Sequence, residues 1–110
     1  MCGQRSVPVD LSPSQLSIVR SDLRLWLAGA KDDLSIPERL QDPEQRRREA
    51  AAYERLLQGI GRGLITVPDR EARAFLAEAA AGNDEGNEYE QVKAEHDALY
   101  ALLAVLEEAE

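Results

Sequence analysis

Residues 89–106 read YEQVKAEHDALYALLAVL, and this stretch decides the fold class. Tyr89, Val92, His96, Leu99, Leu103 and Leu106 are spaced 3, 4, 3, 4, 3, which puts all six on one side of an α-helix. The stripe is heptad-like but spans fewer than three heptads, so it fits a helical bundle better than a free coiled coil. No segment of the chain reads as alternating with period two, and no Asn-Gly or Asp-Gly pair joins β-branched runs. The expectation is an all-α protein.

Working back from that stripe, Thr66-Val67-Pro68-Asp69 reads as a helix start, with Ala72, Phe75, Leu76 and Ala79 on the inner face. Ala79-Ala80-Ala81 makes this helix thin enough for a neighbour to approach closely. The segment Gly82-Asn83-Asp84-Glu85-Gly86-Asn87 then interrupts the pattern, and its glycines and asparagines favour a break. With a turn there, four short helices close on themselves. With only a kink, helices 3 and 4 are one long helix over residues 68–109, about 60 Å at 1.5 Å per residue.

Two earlier helices announce themselves at their first turns. Asp42 can cap, Pro43 suits the first helical position, and Glu44 complements the helix dipole. Ala50, Tyr53, Leu57, Ile60 and Leu64 follow as an inner face. Gly59, Gly61 and Gly63 make continuation past about residue 60 costly, and one of them is expected to be a left-handed cap. Before that, Ser12-Pro13-Ser14-Gln15 has the form of a capping box, with Leu11 and Leu16 flanking it as a hydrophobic staple. Leu16, Val19, Leu23, Trp26 and Ala30 form its inner face, widened by Ile18 and Leu27, and the helix should end between Gly29 and Leu34. Lys31 to Gln41 is a connector, with one helical turn around Pro37 to Leu40. Residues 1–10 carry no period and read as a flexible N-terminal arm; residues 11–110 read as a single helical-bundle domain. The fold expected is a small antiparallel bundle of about four helices.

Composition narrows the function classes. The chain has 110 residues, 44% hydrophobic and 31% charged, a globular balance for one domain. No apolar run reaches the length of a membrane span, and no leader is read at the start. A cytoplasmic location is expected. Arginine supplies eleven of the thirteen basic residues and alanine is frequent, a bias that suits a high-GC bacterial coding sequence. The net charge is −8, which disfavours general attraction to nucleic acid or anionic lipid. That charge is uneven: residues 74–110 hold ten acidic groups and one basic one, whereas residues 39–73 hold eight basic and six acidic.

Each cluster that suggests chemistry has a plainer structural reading. Cys2 after Met1 would be an N-terminal nucleophile only on a strand of a layered sheet, and nothing after Gly3 reads as one. The glycines at 59, 61 and 63 follow a helix instead of opening one, so they do not cradle a phosphate. His96 has Val92, Lys93, Leu99 and Tyr100 at the positions where a helical metal site needs carboxylates or imidazoles, and it reads as a hydrogen-bonded core or interface residue. Arg46-Arg47-Arg48 fan over about 200° of a helix, too wide for one phosphate-reading stripe. Internal pairing is expected for them, with Asp84, Glu85, Glu88 and Glu90 as partners at the same end of an up-down bundle. Trp26 and Phe75 read as core, and Glu107 to Glu110 as a solvated helix end. No catalytic constellation, metal site, cofactor or small-molecule ligand is expected.

The sequence therefore points to a small acidic protein–protein interaction or regulatory module without catalytic activity. Self-association as a homodimer is expected through the C-terminal helix, with Tyr89, Val92, His96, Leu99, Leu103 and Leu106 as the interface. The competing expectation is an acidic inhibitor or nucleic-acid mimic that sets the C-terminal carboxylates against a partner's basic cleft.

Overall fold

A computed structural model describes residues 5–67, 69–82 and 90–108. Among them are a short strand β1 (Arg5–Pro8), helix α1 (Pro13–Leu34), a single 3-10 turn at Pro37–Arg39, helix α2 (Pro43–Arg62), strand β2 (Leu64–Val67), and helices α3 (Arg70–Gly82) and α4 (Glu90–Glu108). The protein is an all-α domain of four helices carrying one two-stranded sheet. No helix among the described residues is long and apolar enough to cross a membrane.

The helices start where their capping residues dictate. Ser12 Oγ accepts from the Gln15 backbone N–H at 3.2 Å, and Gln15 Oε1 accepts from the Ser12 backbone N–H at 3.1 Å, a complete capping box. Such a cap stabilises a helix by about 1 kcal/mol. Asp42 Oδ1 accepts from Gln45 N–H at 3.1 Å, and Asp69 Oδ1 accepts from Ala72 N–H at the same distance, so Asp69 caps α3 as Asp42 caps α2. Helix α1 runs through Gly29 to the late limit of its expected range.

Helix α2 also runs through its first two glycines and ends at Gly63, whose φ of 76° is the left-handed conformation that glycine adopts without a Cβ penalty. Gly59 serves a different purpose. A Cβ there would lie 2.6 Å from the Leu64 carbonyl oxygen, so only glycine lets β2 fold back against the helix that precedes it.

The strands are the main departure from the expected architecture. Leu64–Val67 is extended, and it pairs antiparallel with Arg5–Pro8 in the register Arg5 to Val67, Ser6 to Thr66, Val7 to Ile65 and Pro8 to Leu64. Residues 5–8 are thus held in a sheet, where a flexible arm over residues 1–10 was expected, and Thr66 and Val67 belong to a strand where a helix start was expected. Val9 N–H extends the contact by donating to the Gly63 carbonyl at 3.1 Å. Ile65 and Val67 point into the core while Leu64 and Thr66 face solvent, a period of two that the apolar Leu64 hides in the sequence. A two-stranded sheet is marginal by itself, so its persistence depends on Ile65 and Val67 being buried among the helices.

Helix α1 packs on α2 and α4, and α3 packs on the same two, so each helix touches two others around one core. Val19 and Leu23 of α1, Leu56 and Ile60 of α2, Leu76 of α3 and Leu99, Leu102 and Leu106 of α4 are all essentially closed to solvent. Each such side chain favours the folded state by roughly 1.5–3 kcal/mol. Because α3 packs against α4, the chain doubles back between them, and a single rod over residues 68–109 is excluded. The conformation of residues 83–87 within that reversal lies outside the described residues. Phe75 is core as expected, and the half-buried Trp26 packs on Tyr53 with ring centroids 5.7 Å apart.

Candidate functional site

Three places are positioned to carry function: the α4 stripe, a cleft between α2 and α3, and a cleft between α1 and α4. Of the six residues expected to form a self-association surface, Leu99, Leu103 and Leu106 are buried in the core of the single chain. These three are already covered by the protein's own helices, which corrects their assignment to a surface open to a second subunit. His96 sits at the edge of the stripe, half-buried, its ring tilted by 36° against Tyr100 with centroids 4.4 Å apart and its Nδ1 3.6 Å from Asp97 Oδ1. Tyr89 and the side chain of Val92 lie outside the described residues. The inward face is wider than the heptad-like stripe: Ala98, Leu102 and Val105 form a second buried row one residue away from the first. Their pattern is visible in ALYALLAVL once a wider apolar face is allowed.

The α2–α3 cleft has a volume of about 540 Å³, with Gln45, Arg46, Glu49 and Tyr53 on one wall and Phe75 and Glu78 on the other. Its charged groups are mostly answered by one another. Arg46 donates to Asp33 Oδ2 through Nη2 at 2.7 Å and Nε at 3.1 Å, and through Nη1 to Glu49. Tyr53 Oη donates to the second oxygen of Glu49 at 3.4 Å. Burial works against the Arg46 charge, but Glu49 and Asp33 outweigh it and hold the guanidinium protonated more firmly than in water. Burial, and then the Glu49 carboxylate, push the Tyr53 hydroxyl above the ordinary phenol range. Two members of the arginine run, Arg46 and Arg47, are paired internally. Arg46 reaches back to the end of α1, and Arg47 pairs with Glu44 within its own helix at 2.7 Å. The side chains of Asp84, Glu85, Glu88 and Glu90 lie outside the described residues. Further along α2, Arg55 forks onto Asp69 at 3.0 and 3.2 Å, tying α2 to the cap of α3.

The α1–α4 cleft, about 450 Å³, is built differently. Ser17, Ile18, Ser21 and Asp22 line it from α1, and Ala94 and Glu95 from α4. Asp22 Oδ2 is buried and has no hydrogen-bond partner among the described residues. Desolvation first, and the Glu95 carboxylate second, raise the Asp22 carboxyl from 3.8 to about 6. Leu25 lies beside it on the same helix row, Ile18, Asp22, Leu25 following at intervals of 4 and 3, and 68% of its surface is exposed. Sequence reasoning passed over Asp22. The available signal was an acidic residue set between two apolar ones on the row that widens the α1 inner face.

Among the described residues, no three of His, Cys, Asp and Glu converge as metal ligands would. No family model matches this chain, and no curated protein or solved structure matches it either.

Proposed function

We propose that the protein is a small acidic interaction module that works through contact with another protein, using the outer face of α1 where it meets α4. The observation that carries this reading is the row Ile18, Asp22, Leu25: a large, mostly exposed leucine next to an open cleft whose buried carboxylate oxygen is unpaired. Unpaired buried polar groups and apolar side chains left in water both cost free energy, and a surface that retains them together is a candidate for docking. Homodimerisation through α4 has less support, because Leu99, Leu103 and Leu106 would have to leave the core to reach a second chain.

Light scattering behind a sizing column at two concentrations tests the division of surfaces. A mass near the 12.2 kDa of one chain is expected at both. A photo-reactive residue placed at position 25 should then form one discrete heterologous adduct in the source cell, whereas the same residue at exposed position 48 should not. A stable dimer that persists in a Leu25→Glu variant, or adducts that are equal at both positions, would overturn the reading.

A further inference from the structure

We infer that the α1–α4 contact is a proton-operated latch, in which uptake of one proton by Asp22 tightens the packing of α1 over α4. The inference deepens the reading above by giving that same face a regulator, but it concerns the isolated chain and stands or falls without any partner. The geometry has three parts. Asp22 Oδ2 is sealed from solvent with no donor to stabilise a negative charge. The helix packed against it contributes a second carboxylate, Glu95, to the same cleft. Among the described lining, Glu95 is the only charged group that α4 brings there; Ser17, Ser21, Ile18 and Ala94 bring none, and α2, the other helix packed on α1, contributes nothing to this cleft.

Ionised Asp22 therefore has one oxygen closed to water and no counter-charge among the described lining of the cleft, and Coulomb repulsion from Glu95 acts across the α1–α4 contact. The step is a simple protonation: a solvent proton adds to the carboxylate, the negative charge is removed, and no other bond changes. The neutral acid no longer suffers the desolvation of a charge, so the closed contact is favoured. What the latch covers follows from the packing, since α1 and α4 meet over a core that includes Val19, Leu23, Leu99 and Leu102. The sign is opposite to that of a salt-bridged aspartate. A carboxyl raised in the folded state weakens the fold while it is ionised, and that weakening fades as the pH falls through its folded-state value.

The test combines carbon-detected NMR titration of the aspartate carboxyls with amide hydrogen exchange of the full chain between pH 7.5 and 5. Asp22 is expected to titrate near 6, well above the ordinary 3.8. Amides of α1 and α4, corrected for intrinsic exchange, should open about tenfold less at the acidic end, because about half of the Asp22 displacement is recovered between those pH values. Asp22→Asn should be more protected at pH 7.5 than the parent is even at pH 5, where the unfolded carboxyl is still ionised, and Glu95→Gln should lower the Asp22 midpoint while leaving the fold intact. An Asp22 midpoint near 4 overturns the latch, and so does protection that falls together in the parent and in Asp22→Asn. If Asp22→Asn does not fold, the Glu95→Gln titration decides alone: an unmoved midpoint overturns the proposal.

Discussion

The two clefts of this protein use the same kinds of residue to opposite effect. On the α2–α3 side, Arg46 bridges Asp33 and Glu49, and Glu49 also takes the Tyr53 hydroxyl, so α1 and α2 are joined by a chain of answered charges. On the α1–α4 side, Asp22 is half-enclosed and meets a second carboxylate instead of a cation. The first arrangement resists change, because removing any member leaves another stranded; the second is already stranded and gains from neutralisation. What a carboxylate does to stability here depends on what the neighbouring helix places opposite it, and hardly at all on its own identity.

The contrast can be pushed to its limit by placing a charge where nothing at all can answer it. Leu103 is 4% exposed in the core, so Leu103→Asp should abolish cooperative unfolding, a loss of about 4 kcal/mol or more that circular dichroism in a urea series would register. Breaking the answered network comes next. Arg46→Ala should cost about 1–2 kcal/mol in the same assay, since it strands Asp33 and Glu49 together but leaves them partly solvated. Relieving the unanswered charge should have the reverse sign. Asp22→Asn should raise the melting temperature by a few degrees at pH 8, where the parent carboxylate is ionised, and the gain should shrink to nothing by pH 4, where the parent is protonated too. An equal gain at both pH values would show that packing, not charge, had changed. The smallest effect belongs to the solvated pair: Arg47→Ala breaks an exposed contact with Glu44 and should move stability by under about 0.5 kcal/mol.

The legible part of the structure was whatever local chemistry decides. Ser12 and Gln15 cap each other, Asp42 lies next to its proline, and the leucine spacing of α4 needs no knowledge of the rest of the chain. The strands were not legible because their cause is distant. Leu64–Val67 carries no clear alternation, with apolar Leu64 on the outer face, until Arg5–Pro8 pairs with it and the core selects Ile65 and Val67. The Asp33 partner of Arg46 was hidden for the same reason. The 3-10 turn at Pro37–Arg39 returns the chain so that Asp33 lies within reach of Arg46. For the candidate site, the inward leucines were identified correctly as a stripe but misread as spare, because covering them takes α1 and α3, which the spacing alone does not place. Asp22 was invisible for the opposite reason: its peculiarity is the absence of a counter-ion, which appears only when α4 is set beside it.

The pairing of β1 with β2 has a consequence for how the chain is made and handled. Its two strands flank α1 and α2 in sequence, so the pairing is a long-range contact whose closure entropy is offset when that helical pair holds its two ends together. Should β1 be trimmed away or displaced by a bulky fusion, the backbone donors and acceptors of β2 that it engages would lie bare along a sheet edge. A bare edge recruits strands from other chains. Through that clasp, β1 takes up the inner edge of β2.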